Sequence, residues 1–323
     1  MSIGVVVIGR NEGNRLKRCI ESVMSVANKI VYVDSGSTDG SVAMALGMGL
    51  GILELDMQVP FTAARARNEG FKQLLKSSPE LDYIQFVDGD CELVEGWLGT
   101  ASTFMDIHKN VAVTCGRLRE RFPQQSIYNQ LCDNEWDTAI GLTKTCGGIA
   151  MMRKDAFATS GGFRQDLIAG EESELCVRLR ASAWQIWRVD AEMALHDAAM
   201  THFSQWWKRT VRSGYAYAEG AFLHGKPPER HCINETRRIL IWGGVIPLLV
   251  LSLTIGIGIA GLLLLLIYPV QIIRLAMRGD GSTKQNFLRG MFLVIGKFPE
   301  VIGQFKFLFN RLFGKRGHLI EYK

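Results

Sequence analysis

The chain has 323 residues, 47% of them hydrophobic and 21% charged, with a formal net charge of +5. That is the ordinary composition of a folded chain with room for one large domain and an appendage. Seven cysteines, an odd number with no C-x-x-C pair, argue against both a disulfide framework and a zinc site.

The chain opens on a buried-strand run, Ile3 to Gly9, and Met1 leads straight into it, so no N-terminal signal peptide is expected. Arg10-Asn11-Glu12-Gly13 then leads into a helix-period segment from Arg15 to Val26. A second strand, Lys29 to Val33, ends on Asp34-Ser35-Gly36-Ser37-Thr38-Asp39-Gly40, and a third runs from Gly51 to Leu55. The segment Thr62 to Gly70 opens the next helix, with Arg65, Arg67 and Asn68 near its start. Tyr83 to Val87 is an apolar strand that delivers Asp88-Gly89-Asp90 to its exposed end. Two carboxylates flanking a glycine suit a divalent cation that bridges to a closely approaching diphosphate, although the same tripeptide is ordinary turn chemistry. Cys91 beside the pair reads as packing, because a hard cation prefers oxygen. Gly170-Glu171-Glu172-Ser173-Glu174 begins a helix with carboxylates in its first turn, where the backbone dipole alone favours them. A strand from Ile186 to Val189 and its extension lead to His196-Asp197. In an open parallel sheet, ligands bind beyond the carboxyl ends of the strands, which is where several of these polar loops fall.

The C-terminal part differs in kind. Residues 1–203 carry 20 Lys and Arg against 26 Asp and Glu, whereas residues 204–323 carry 17 against 6. The basic part is also the apolar part. Ile239 to Met277 is nearly uncharged, and as one straight helix it would be roughly 58 Å long, nearly twice the ~30 Å hydrocarbon core of a bilayer. Gly256, Gly258 and Gly261 near its middle favour two helices joined by a tight turn, a hairpin over 239–277 that is transmembrane or re-entrant. Arg237 and Arg238 before it and Arg274 and Arg278 at its end put both flanks on the cytoplasmic face. Residues 287–313 mix aromatic and aliphatic residues with Arg289, Lys297, Lys306 and Arg311, followed by Lys315 and Arg316. That is the composition of an interfacial helix, with Pro299 as a kink or a break. A buried helical pair in a soluble domain is the alternative to the membrane hairpin.

Taken together, Val7-Ile8-Gly9-Arg10-Asn11-Glu12, Val33-Asp34-Ser35-Gly36-Ser37-Thr38-Asp39-Gly40, Ala66-Arg67-Asn68-Glu69-Gly70, Asp88-Gly89-Asp90, Gly147-Gly148, Gly161-Gly162-Phe163 and Gly170-Glu171-Glu172 resemble, in order and spacing, a family 2 glycosyltransferase with the GT-A fold. The resemblance implies an α/β fold, a mixed and mostly parallel sheet flanked by helices. With the C-terminal hairpin and interfacial helix, the expected division is a catalytic domain over 1–225 and a membrane-associated region over 226–323. It implies a nucleotide pocket that includes Asn11, Glu12, Asp34 and Ser35, with Arg67 and Asn68 on ribose or diphosphate. Asp88 and Asp90 would hold Mg2+ or Mn2+, with Asp88 also at the nucleotide. His196 either completes the metal shell or is a structural histidine. Glu172 is the implied general base. Members usually carry Glu-Asp where this chain has Glu-Glu, which leaves the choice between Glu171 and Glu172 open.

The implied activity is inverting, non-processive transfer of a sugar from a nucleotide-diphosphate donor, UDP-linked by family habit, to a lipid-linked or membrane-proximal acceptor in polysaccharide or glycolipid biosynthesis. Trp206 and Trp207 are expected at the interface or the acceptor cleft, since the Gln-x-x-Arg-Trp motif of processive synthases is absent. Expected partners are the donor, the glycan acceptor and membrane lipid, with no nucleic acid, and the expected location is the inner or plasma membrane with the catalytic domain facing the cytoplasm. A non-catalytic membrane-associated nucleotide-sugar-binding module is the alternative. A sugar-nucleotide pyrophosphorylase is disfavoured because the first loop is too short and too acidic, and a Rossmann dehydrogenase because no G-x-G-x-x-G follows the first strand.

Overall fold

The computed structural model describes residues 2–27, 29–315 and 317, so the basic residue Arg316 lies outside the described residues. The chain forms two compact units, Met1–Thr201 and His202–Lys323.

In the first unit, strands and helices alternate: β1 (Ile3–Gly9), α1 (Asn14–Met24), β2 (Lys29–Asp34), α2 (Ser41–Gly47), β3 (Gly51–Glu54), α3 (Ala63–Ser77) and β4 (Tyr83–Asp88). They are followed by β5 (Cys91–Leu93), α4 (Trp97–Ile107), β6 (Val111–Glu120), α5 (Ile127–Glu135), β7 (Gly141–Thr143), β8 (Ala150–Arg153), α6 (Lys154–Thr159), α7 (Glu171–Ala181) and β9 (Gln185–His196). Among the described residues the strands make one sheet in the order β3-β2-β1-β4-β8-β6-β9-β5, with β7 added on β9. The first four are mutually parallel, and β8 runs against both β4 and β6. Val5, Val6 and Val7 are fully buried, as continuous apolar runs must be when helices cover both faces of a sheet. Helix α3 lies directly on the sheet because Gly70 has no side chain; a Cβ there would fall on Val6 and Val33.

Register sets the site. Gly9 pairs with Asp34 and Ile8 with Asp88, so the ends of β1, β2 and β4 are side by side. Asp34, Gly9 and Asp88 therefore share one edge, and the expected loops open from it.

The second unit is helical: α8 (Phe203–His224), α9 (Ile233–Leu240), a wide π turn Ile241–Val245, α10 (Ile246–Ile257), a tight 3-10 stretch Gly258–Leu266, α11 (Ile267–Ala276), α12 (Thr283–Ile295) and α13 (Lys297–Leu312). The run Ile233–Ala276 is long and apolar enough to cross a membrane. It reverses at Gly258, so the expected tight turn lies there. Two details differ from the sequence reading. The compact units divide at Thr201/His202 instead of 225/226, because α8 packs on α13: a Cβ at Gly214 would meet the backbone of Glu300, and one at Gly303 the backbone of Val211 and Tyr215. The expected single helix over 287–313 is two helices meeting at Gly296. Pro299 does not break it, since it occupies the first turn of α13, where its missing N–H is needed least.

Candidate active site

Three polar clusters line the carboxyl edge of the sheet in the first unit. The first joins the loops after β1 and β2. Asp34, almost fully buried, accepts hydrogen bonds from Tyr32 Oη (2.7 Å), Gly36 N (2.9 Å), Ser37 N (2.8 Å) and Ser37 Oγ (2.5 Å). The phenol of Tyr32 is pushed above its usual pKa by burial and by this carboxylate. Asn11, in the left-handed region at φ 55°, donates from its backbone to Ser37 Oγ (2.9 Å) and accepts from Thr38 N on Oδ1 (2.7 Å). Ser35 N donates to Gly9 O (3.0 Å), and Glu12 pairs with Arg15 at 2.8 Å. In this structure the side-chain oxygens of Asp34 and Asn11 are therefore turned to the protein's own amides and hydroxyls, fixing the two loops to each other.

The second cluster centres on Arg67. Its guanidinium is 3% exposed and donates to Asp88 Oδ1 (2.8 Å), Glu171 Oε1 (2.9 Å) and Glu172 Oε1 (3.0 Å). Phe163 lies beneath it, 5.5 Å from ring centroid to guanidinium carbon. Burial opposes the charge on Arg67, and the attraction of Asp88, Glu172 and Glu171 outweighs it, holding the guanidinium above its usual pKa. Glu172 moves the other way. Burial and the neighbouring Glu171 push its carboxyl up to about 7, against the pull of Arg67. Both glutamates begin α7 after Gly170, whose φ of 80° turns the chain into the helix, and the helix N-terminus favours their negative charge. Gly148 presses on this cluster: a Cβ there would collide with Arg67 and lie 3.0 Å from Asp88 Oδ2 and 3.1 Å from Glu172 Oε1.

The third cluster is set by strand pairing. β5 runs antiparallel to β9 with Cys91 opposite His196, which brings His196 Nε2 to 3.1 Å from Asp90 Oδ2. Cys91 Sγ lies 3.3 Å from Asp90 Oδ1, and its thiol is pushed well above its usual pKa by burial and by Asp88. Ligand atoms of Asp90, Cys91 and His196 lie within 4.8 Å of one another. A carboxylate and an imidazole at this distance can bind a cation together, with the carboxylate of Asp88 two residues away.

Of the expected site residues, Arg67, Asp88, Glu171 and Glu172 come together, as do Asp90 and His196. Asn68 is engaged elsewhere: its amide donates to Phe163 O (2.7 Å) and accepts from Phe163 N (2.9 Å), fixing the Gly161-Gly162-Phe163 turn. Arg65 donates to the carbonyls of Asp56 and Val59. Trp206 is buried in the second unit, edge-on to Phe292 with centroids 4.9 Å apart, and Trp207 is half-buried beside Phe203. Sequence reading missed Trp136, whose ring stands edge-on to His196 at 4.6 Å, and the brace around Glu120. Glu120 Oε2 accepts from Ala198 N (3.1 Å) while Asn129 Oδ1 accepts from Met200 N (3.0 Å), which fixes the segment leaving His196. The one hint in the sequence is a carboxylate at the end of a strand that begins as an apolar run.

Known proteins resemble this unit. Residues 4–160 match the family profile described as glycosyl transferase family 2. The chain is 28% identical over 199 residues to succinoglycan biosynthesis protein ExoA of Rhizobium meliloti, covering 58% of this chain and 60% of that protein. It is 31% identical over 96 residues to a TPR repeat-containing protein of Synechococcus elongatus, covering 29% of this chain and 22% of that one. The chain thus spans less than two thirds of either relative. Among solved structures, the mannosyltransferase PcManGT of Pyrobaculum calidifontis, in complex with GDP-Man and Mn2+, aligns with a TM-score of 0.60 at 15% identity over 96% of this chain and 87% of that one, a likeness of fold. With the profile match, the mixed sheet and the motifs at its carboxyl edge in agreement, the N-terminal unit carries a glycosyl transferase family 2 domain over residues 4–160.

Proposed function

We propose that the protein transfers a sugar with inversion from a nucleotide-diphosphate donor, UDP-linked, to a lipid-linked or membrane-proximal acceptor, one sugar per encounter, in surface-polysaccharide or glycolipid biosynthesis. The observation that carries this reading is Arg67, buried between Asp88 on one side and Glu171 and Glu172 on the other. It ties the aspartate expected at the diphosphate to the carboxylates expected at the acceptor. Glu172, with its pKa raised to about 7 by burial and Glu171, is the proposed general base that takes the proton from the acceptor hydroxyl at its carboxylate oxygen. Glu171, more deeply buried, positions Arg67. The loops fixed by Asp34 and Asn11 hold the nucleoside, and Ser35, Glu12 and Arg67 complete that side.

The donor set also fits a divalent cation. Carboxylate oxygens of Asp90 and Asp88 with the imidazole nitrogen of His196 suit Mn2+ or Mg2+, whereas the Cys91 thiol, kept protonated by burial and Asp88, does not. When bound, such an ion offsets the negative charge of the departing nucleoside diphosphate. The apolar, arginine-flanked run Ile233–Ala276 supports membrane association with the catalytic unit facing the cytoplasm, where nucleotide sugars are made.

The test is thermal unfolding of the detergent-purified protein with UDP, GDP, dTDP and CMP, with and without Mn2+, paired with a transfer assay. A nucleotide that binds only the folded state raises its stability, by about 2.7 kcal/mol at a hundredfold excess over Kd. Metal-dependent stabilisation by one nucleoside diphosphate, lost in Asp90→Ala, is the expected result. Glu172→Gln should keep that stabilisation and lose transfer by roughly a hundredfold or more. Undiminished transfer by Glu172→Gln would discard it as the base, and a Mn2+-independent shift would discard the cation.

A further inference from the structure

The run between Arg238 and Arg274 contains no charged residue, and from Ile255 to Ile267 it contains no polar side chain at all. A straight helix over the 44 residues Ile233–Ala276 would measure roughly 66 Å. The chain does not run straight. Gly258 takes φ 75° and ψ −156°, a conformation that ends α10, and the 3-10 stretch beyond it folds back along α10. The legs touch at once, since a Cβ on Gly261 would fall on the backbone of Leu253 and Thr254. At the open end Tyr268 Oη donates to Trp242 O at 2.7 Å, with ring centroids 6.0 Å apart. Trp242 and Tyr268 therefore stand at the same level on two antiparallel legs.

From that level to the apex the outgoing leg rises about 22 Å at 1.5 Å per residue. The returning leg, mostly 3-10 at 2.0 Å per residue, rises about 19 Å. The two values agree, and both fall short of a ~30 Å hydrocarbon core.

We infer that this hairpin enters a lipid bilayer from one face and returns to the same face, with its apex in hydrocarbon and not in the far headgroups. The membrane itself rests on the reading given above; the mode of entry is the new element. Depth is the first argument. The second is the chemistry of the apex, where Ile255 is 79% exposed, Ile259 82% and Leu263 68%. A turn that emerged into headgroups and water would gain nothing from such residues, whereas acyl chains cover them at no cost. The third is the open end. Trp242 and Tyr268, joined by the Phe298 ring 5.7 Å from Tyr268, form an aromatic cluster of the kind that settles at headgroup level. Arg237 and Arg238 on one leg and Arg274 and Arg278 on the other are all exposed just outside it, placed to meet anionic phosphates. The reversal is confined to Gly258, so the backbone groups left without helical partners in hydrocarbon are limited to the end of α10 and the start of the 3-10 stretch.

The experiment uses the full chain in sealed membrane vesicles of both orientations, with labelling by a membrane-impermeant maleimide read as the increment over the parent protein. Arg278→Cys should label from one side only. Ile257→Cys should label from neither side, yet react with a small apolar maleimide that partitions into lipid. Labelling of Ile257→Cys from the side opposite to Arg278→Cys would overturn single-face entry and establish a spanning hairpin. Labelling of both from the same side by the impermeant reagent would show that the apex is not in lipid at all. Ile259→Asp supplies an independent readout with vesicles of phosphatidylethanolamine and phosphatidylglycerol. A carboxylate near the bilayer centre should lower vesicle affinity roughly tenfold to a hundredfold, and unchanged affinity would overturn burial of the apex. Donor-dependent stabilisation in detergent is unaffected by any of these outcomes, so a failed hairpin and a failed transferase reading remain distinguishable.

Discussion

The two units invert the usual arrangement of a protein in opposite ways. The first buries charge: Arg67, Glu171 and Glu174 are each 3% exposed or less, and Asp34 is 1% exposed. The second exposes hydrocarbon, with Ile255, Ile257, Ile259, Leu263 and Met277 all more than 60% exposed. Either arrangement is costly for a chain alone in water, the one through desolvation and the other through unburied apolar surface. They are met differently. In the first unit the chain supplies its own counter-charges, so the cluster is set before any ligand arrives. In the second, none of the described residues covers the apex, which stays exposed. Preorganisation marks the site proposed for the chemistry, and an uncovered apolar surface marks the part proposed to meet the membrane.

The sharpest way to break this contrast is to remove the counter-charge. Arg67→Ala leaves three carboxylates facing one another and should cost about 3–5 kcal/mol, as when a buried ion pair loses one partner. Because the orphaned carboxylates are relieved by protonation, the loss should be smaller at pH 5 than at pH 8. Equal loss at both would mean that packing, not charge, holds the cluster. Gly148→Ala is a smaller wedge at the same place, since the added methyl presses on Arg67, Asp88 and Glu172. It should lower kcat/KM by roughly tenfold, within the range for a misplaced catalytic group, and shift the unfolding midpoint only slightly.

Protonation of Glu172 gives the next effect. Its pKa is raised from 4.5 to about 7, by burial first and Glu171 second, so kcat/KM should fall in proportion to hydrogen-ion concentration below about pH 7. For stability the sign is opposite. A carboxyl whose folded pKa exceeds its unfolded one contributes stability that is fully present below 4.5 and is lost as pH rises through about 7. Across that window Glu172 trades stability for activity, and a profile flat from pH 5 to 8 in kcat/KM would remove it from the proton-transfer step. The smallest effect belongs to the other unit. Leu263→Ala, at a side chain 68% exposed, should change unfolding in detergent by no more than about 0.5 kcal/mol, because the protein itself makes little use of it. A large loss would mean that the apex packs within the unit.

What could be read from the sequence follows the range of the interactions involved. Apolar runs such as Ile3–Gly9 and Tyr83–Val87 identify their own strands, and the polar loops after them mark the carboxyl edge, because these are local properties of the chain. The convergence of Arg67 with Glu171 and Glu172 is not local: the partners lie 104 and 105 positions apart and meet only when α7 is docked beside α3. His196 reaches Asp90 through the register of β5 on β9, which a slip of one residue would turn away. Asn68 is a further non-local case: an amide at a helix start reads as a ligand contact, and in the fold both of its ends are hydrogen-bonded to Phe163, 95 positions away. The apex at Gly258 is legible in the sequence as one of several glycines, and its φ of 75° together with the backing of Gly261 onto Leu253 and Thr254 distinguishes it from its neighbours.

The crossing of α8 and α13 has a practical side. Where Gly214 meets Glu300 and Gly303 meets Val211, two main chains touch with no side chain between them, so the first and last helices of the second unit are clasped like two links. Trimming the protein from its C-terminus to make it easier to handle would unclasp them and bare the backbone of α8 at Gly214. A shortened version made for solubility should therefore keep everything through Leu312 and soften the apex at Gly258 instead.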